Sequence, residues 1–231
     1  MTMFTTPKKM THTLRACALL IGYPDASLRG LLPDLRLALH DEAALSASRL
    51  AELDALIEAL QQQAPLDTEA AYVELFDRGR STSLHLFEHL HGDSRDRGPA
   101  MIDLAQTYEK AGLFLSASEL PDCLPVVLEF ASTQPPKEAR AFLAEMTHIL
   151  NALFTALVKR ESRYASVVGA LIELAGERAH AVKIQPDEAL DDSWAEPLAF
   201  DGCSSHGQAK PGTPQPINLV RKSSATQGVQ P

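Results

Sequence analysis

The sequence predicts an all-α fold, and three observations carry that expectation. Apolar residues recur at helical spacing through nearly all of the chain before residue 200. Alternating strand patterns and β-branched runs are absent. Proline and glycine punctuate the chain where helices of a bundle would start and stop. The expected architecture is a single-domain bundle of about eight helices over residues 1–200, with a disordered tail over 201–231.

Met10 to Gly22 reads as one short helix, interrupted by Pro24. Ser27 to His40 follows, with Leu28, Leu31, Leu32, Leu35 and Leu39 at helical spacing. Residues 42–63 are rich in strong helix formers, and Leu50, Leu53, Ile57 and Leu60 make a stripe too short for a free coiled coil. Pro65 ends that helix. Asp67 or Thr68 is suited to cap the next, through Tyr72 and Phe76 to about Arg80. A bend at Ser81–Ser83 precedes HLFEHLH, and Gly92 is placed to stop it. Pro99 fits the first position of a helix ending at Gly112. Pro121 fits a first turn, and Pro125 should bend that helix near its start. One long helix is expected after Pro136, with Phe142, Met146, Ile149, Leu150, Leu153, Phe154 and Leu157 as a wide apolar stripe. Arg163 to about Glu177 forms the last helix. Beyond Gly202 the composition is Gly, Pro, Ser, Gln and Lys, which cannot bury enough surface to order itself.

The 231 residues suffice for one sizeable domain, and 45% are hydrophobic. No apolar run reaches the roughly 18 residues that a membrane span requires. The N-terminal run LRACALLIG is short and interrupted by Arg15, so it reads as a buried helix of a cytoplasmic protein rather than a signal peptide. Cys17, Cys123 and Cys203 are too widely spaced for a disulfide framework or a zinc site. The net charge of −9 argues against nucleic acid and is compatible with a basic peptide as partner.

His85, His89 and His91 invite a metal reading, because residues four apart share a helix face. Against it stand the missing second His of an HExxH motif and the absence of nearby Cys. A polar network at a helix end is the plainer reading. Phosphate-cradling and nucleophile-elbow motifs are absent, and no enzyme is expected. Arg95, Asp96 and Arg97 read as a loop pinned by ion pairs, or as an anion fork. Glu119 and Asp122 stand beside apolar residues and suit either a basic amphipathic peptide or a helix N-terminus.

Three segments carry a resemblance: YVELFDRGRSTSLHLFEHLHGDSRDRG at 72–98, ELPDCLPVVLEF at 119–130 and LLIGYP at 19–24. They resemble the nitrate reductase delta-subunit family, within the redox-enzyme maturation chaperones. The resemblance implies a helical chaperone without cofactor or catalysis. Its implied partner is the N-terminal segment of the nitrate reductase alpha subunit, a basic amphipathic peptide. It would hold the apoenzyme for molybdenum cofactor insertion and delay membrane attachment. On that basis the groove walls are assigned to Leu75, Phe76, Phe87, Leu90, Leu124 and Val127, and the acidic rim to Glu88, Glu119 and Asp122. The alternative is a metal- or cofactor-handling helical protein using His85, His89 and His91. One departure stands out: the family favours Asp-His in the second motif, and this chain has Asp122-Cys123.

Overall fold

A computed structural model describes residues 8–91, 95–116 and 119–183. Ten α-helices form among them, and no strand beyond one isolated bridge. The predicted tail lies outside the described residues. Helix α1 (Thr11–Ile21) buries Leu14, Cys17, Leu20 and Ile21 completely. It lacks a cap from its own N-terminal neighbour. Glu42, from the end of α2, supplies one instead: its carboxylate accepts from the His12 N–H (3.2 Å), the Thr13 N–H (2.7 Å) and Thr13 Oγ1 (2.7 Å). Helix α2 (Ala26–Glu42) starts on Asp25, which accepts from the Leu28 N–H at 2.8 Å. Helix α3 (Ala47–Gln62) starts on Ser46 and buries Leu53, Leu56, Ile57 and Leu60.

Pro65 opens α4 (Pro65–Phe76) rather than merely ending α3, because its missing N–H costs nothing at a first helical position. Thr68 turns back, its hydroxyl donating to the Ala64 carbonyl at 3.0 Å, so it does not cap. The helix stops at Phe76, short of Arg80, and a 3₁₀ turn at Arg80–Thr82 follows. Helix α5 (Leu86–His91) is short, and α6 (Arg97–Lys110) begins two residues before Pro99. Helix α7 (Leu124–Thr133) begins after Pro121, so Pro125 sits in its first turn, where no intrahelical bond is lost.

The long helix expected after Pro136 is two helices, α8 (Pro136–Glu145) and α9 (Thr147–Lys159), meeting at 66°. The stripe from Phe142 to Leu157 is too wide for one straight helix to bury against a single neighbour. At the joint, Thr147 Oγ1 donates to the Leu143 carbonyl and Asn151 Nδ2 to the Thr147 carbonyl, which satisfies the interrupted ladder. Helix α10 (Ala165–Ala175) is buried nearly all round, with Val167, Val168, Ala170, Leu171 and Ile172 fully enclosed by α1, α3, α8 and α9. Gly176 ends it in a left-handed conformation (φ 89°), beneath the Arg140 guanidinium, whose Nε donates to the Ala175 carbonyl at 3.2 Å. The chain then returns along α9. The His180 N–H donates to Asn151 Oδ1 (2.9 Å) and the Val182 N–H to Thr155 Oγ1 (3.1 Å), which keeps two buried polar side chains paired. No single described helix is long and apolar enough to cross a membrane.

Candidate functional site

The two motifs that lie far apart in sequence meet as an antiparallel bridge between His85 and Cys123. The Leu86 N–H donates to the Asp122 carbonyl (3.0 Å), and the Leu124 N–H to the Leu84 carbonyl (2.9 Å). This backbone pairing turns the Asp122 side chain inward, and it is 0% exposed. Its carboxylate accepts from the Phe87 N–H at 3.2 Å, faces His85 Nδ1 at 3.4 Å and lies 3.7 Å from Arg97 Nη2. Arg97 reaches Glu88 as well, at 3.4 Å. A buried carboxylate survives only with such partners. Burial pushes its pKa up, but the bond with His85, the Phe87 N–H and the Arg97 charge outweigh it and leave Asp122 below its ordinary value. The same hydrogen bond raises His85, against the opposing effect of burial.

Two further contacts complete this clamp. His89 Nε2 donates to the Ser83 carbonyl at 2.8 Å. The Tyr108 hydroxyl donates to the Pro121 carbonyl at 2.8 Å, and its ring packs on Phe130 with centroids 4.6 Å apart. Burial pushes the Cys123 thiol up to about 11, so it is no nucleophile near neutrality. His85 precedes α5 rather than sharing a face with His89, and the two rings serve different partners. Among the described residues no group of three His, Cys, Asp or Glu side chains is placed to hold a metal ion. The His91 side chain lies outside the described residues.

Beside the clamp runs an apolar cleft of about 390 Å³. Leu19 from α1, Val126 and Phe130 from α7, and Leu113, Phe114 and Leu115 from the segment after α6 line it. Glu119 and Glu129 supply acids, and Arg15 is the cation of the lining. Phe114 is 80% exposed, which leaves a large apolar ring facing water. A second cleft of about 300 Å³ lies between α3, α4 and the turn joining α9 to α10.

Several of the residues assigned to a groove from the sequence are buried. Phe76, Leu124 and Val127 are core residues, because α4 and α7 turn those positions toward Tyr72, Tyr164 and α1. Asp122 is in the clamp and cannot be a rim charge. Leu75 is half-buried and lines the smaller cleft. Phe87 and Glu88 are half-buried on α5, and Leu90 is exposed. Of the nine residues assigned, Glu119 alone lines the larger cleft. The missed residues had a signal. Leu113, Phe114 and Leu115 form an apolar run directly after the Gly112 helix stop, where a polar loop is the norm.

A model of the family described as the nitrate reductase delta subunit matches residues 42–168. The nitrate reductase molybdenum cofactor assembly chaperone NarJ of Escherichia coli (strain K12) is 42% identical over 194 residues, 83% of this chain and 81% of that protein. The nitrate reductase-like protein NarX of Mycobacterium tuberculosis (strain ATCC 25618 / H37Rv) is 34% identical over 158 residues, 68% of this chain and 23% of that one. The fold is shared with an Archaeoglobus fulgidus protein, described as a redox enzyme maturation protein, whose crystal structure superposes with a TM-score of 0.52 at 20% identity. That match covers 75% of this chain and 98% of the other. With a family model spanning more than half of its length, and a curated relative alike over most of its length, this chain belongs to the nitrate reductase delta subunit family.

Proposed function

We propose that this protein is an assembly chaperone for a respiratory nitrate reductase. It grips the N-terminal segment of the alpha subunit in the larger cleft. It thereby holds the apoenzyme on the cytoplasmic side, open to molybdenum cofactor insertion, before the alpha subunit joins its membrane partner. Kinship with a chaperone named for that assembly supports the reading. The observation that carries the mechanism is the cleft itself. It presents Leu19, Phe114 and Val126 to solvent with Glu119 and Glu129 beside them. An amphipathic, basic peptide matches both features: apolar burial supplies affinity and the acids speed encounter.

Deletion of the protein tests the role. The alpha subunit should still be synthesised but lack molybdenum, and normal cofactor occupancy in a strain without a paralogue would refute the proposal. The site is tested with a fluorescent peptide from the alpha-subunit N-terminus. Glu119→Gln with Glu129→Gln should slow association at low salt and matter little at 1 M salt, where the Debye length is about 3 Å. Phe114→Ala should weaken binding at every salt concentration. Wild-type affinity in Phe114→Ala would remove the cleft from the mechanism.

A further inference from the structure

We propose that Tyr108 is the positioning residue of the larger cleft, an inference that rests on the peptide-binding role above. Helix α6 has 14 residues and fully buries only Tyr108, which is 2% exposed. Met101, Leu104 and Ala105 are no more than half-buried. A helix of a globular protein ordinarily buries a whole apolar stripe. Here one side chain carries most of that task, so its contacts fix where the end of α6 and the run after it stand. The Tyr108 hydroxyl donates to the Pro121 carbonyl at 2.8 Å. The ring packs on Phe130 of α7, which meets Phe142 of α8 edge-on with centroids 5.1 Å apart. The Tyr108 carbonyl accepts from the Leu113 N–H at 3.0 Å, where the apolar run begins. Tyr108 itself, Leu113, Phe130 and Glu119, just before Pro121, all line the cleft.

The apolar run after α6, the acidic segment before α7, and α7 itself are separate stretches of chain. Each needs a fixed place if a client is to meet the apolar rings and the acid together. Glu119 closes a local turn: its carboxylate accepts from the Ser116 N–H (3.1 Å) and hydroxyl (2.9 Å), and its own N–H donates to the Ser116 carbonyl (3.2 Å). These bonds shape the turn. The Tyr108 hydroxyl, through the Pro121 carbonyl, ties it to α6. A phenylalanine at this position would still pack on Phe130 but would leave the carbonyl of buried Pro121 without that donor. The acidic segment then gains freedom that a client must remove, and ordering a segment at the moment of binding costs affinity. Tyr108 thus acts through Glu119 and the apolar run, by holding them in place before the client arrives.

The test is Tyr108→Phe in the full-length protein, alone and combined with Glu119→Gln, measured with the fluorescent alpha-subunit peptide. Helical content by circular dichroism should be unchanged. Affinity should fall about fivefold, the scale of one hydrogen bond. Glu119→Gln slows association at low salt in the wild-type background, and it should slow it less in Tyr108→Phe, because an acid no longer held in place steers less. Amide exchange at Glu119 and Cys123, whose N–H groups bond to the Ser116 and Leu120 carbonyls, should quicken in Tyr108→Phe without any peptide. Wild-type affinity in Tyr108→Phe overturns the assignment, and so does unchanged exchange. An undiminished effect of Glu119→Gln also overturns it, since that is what a merely stabilising Tyr108 gives. These results leave the peptide-binding role standing. Failure of the wild-type protein to bind the peptide overturns the role and the assignment together.

Discussion

Asp122 is the residue on which the two motifs converge. Its neighbours in sequence, Glu119 and Pro121, suggest a surface acid at a helix start, and nothing local says otherwise. Only the backbone bridge at His85 and Cys123 makes it a buried charge, and that pairing joins segments remote in sequence. Asp122→Ala removes the acceptor for the Phe87 N–H and strands Arg97 and His85. The expected loss is about 3 kcal/mol of unfolding free energy in urea. The pH dependence has a definite sign. His85 is raised, so its contribution is complete below its unfolded pKa and is lost as pH rises through the folded value. Asp122 is lowered, so its contribution is complete above its unfolded pKa and is lost as pH falls through the folded value. The pair is therefore strongest between about pH 4 and 6.5. Thermal unfolding midpoints should fall between about pH 6 and 8 in the wild type, and less in His85→Gln. An equal fall in both would show that His85 is not the source of the effect.

At the scale of elements, the helices with punctuated ends were the legible ones. Pro65 and Gly112 mark ends that the structure places within a few residues, whereas the third helix, read from residue 42, starts at Ala47. Three features were illegible, each because the deciding partner is remote. Glu42 caps α1 from the far end of the next helix. The break at Met146 depends on which neighbours cover the Phe142–Leu157 stripe. His85 and His89 separate because His85 pairs as extended chain just before α5 begins. Gly176 is a test case for a remote partner. The last helix was read through to about Glu177, but it stops at Gly176 with positive φ, and the guanidinium of Arg140 lies where a side chain would go. Gly176→Ala should cost about 1–2 kcal/mol for the left-handed conformation. It should also displace Arg140 from the α10 terminus, so that Arg140→Ala adds less in the Gly176→Ala background than alone. Urea titration of the four proteins checks both statements.

For the whole molecule, fold class followed from periodicity, whereas the cleft is assembled from three segments: α1, the run after α6, and α7. No local pattern contains that combination, and of the nine residues assigned from the sequence only Glu119 lines this cleft. The returning segment at 178–183 is likewise a tertiary feature. A chain ending at Phe200 should keep its helical content and peptide affinity. A chain ending at Glu177 should lose about 2 kcal/mol, because Asn151 and Thr155 are uncovered and two hydrogen bonds are gone. The position of α1 carries a consequence in time. Its apolar residues other than Leu19 are covered in the finished fold, and its most extensive partner is α7, which starts at Leu124. Synthesis at about 5–20 residues per second separates the two helices by roughly 5–20 s. Throughout that interval Leu14, Cys17, Leu20 and Ile21 stand on a nascent chain without the surface that will cover them. A protein proposed to shelter the N-terminus of another thus begins its own life with an unsheltered one.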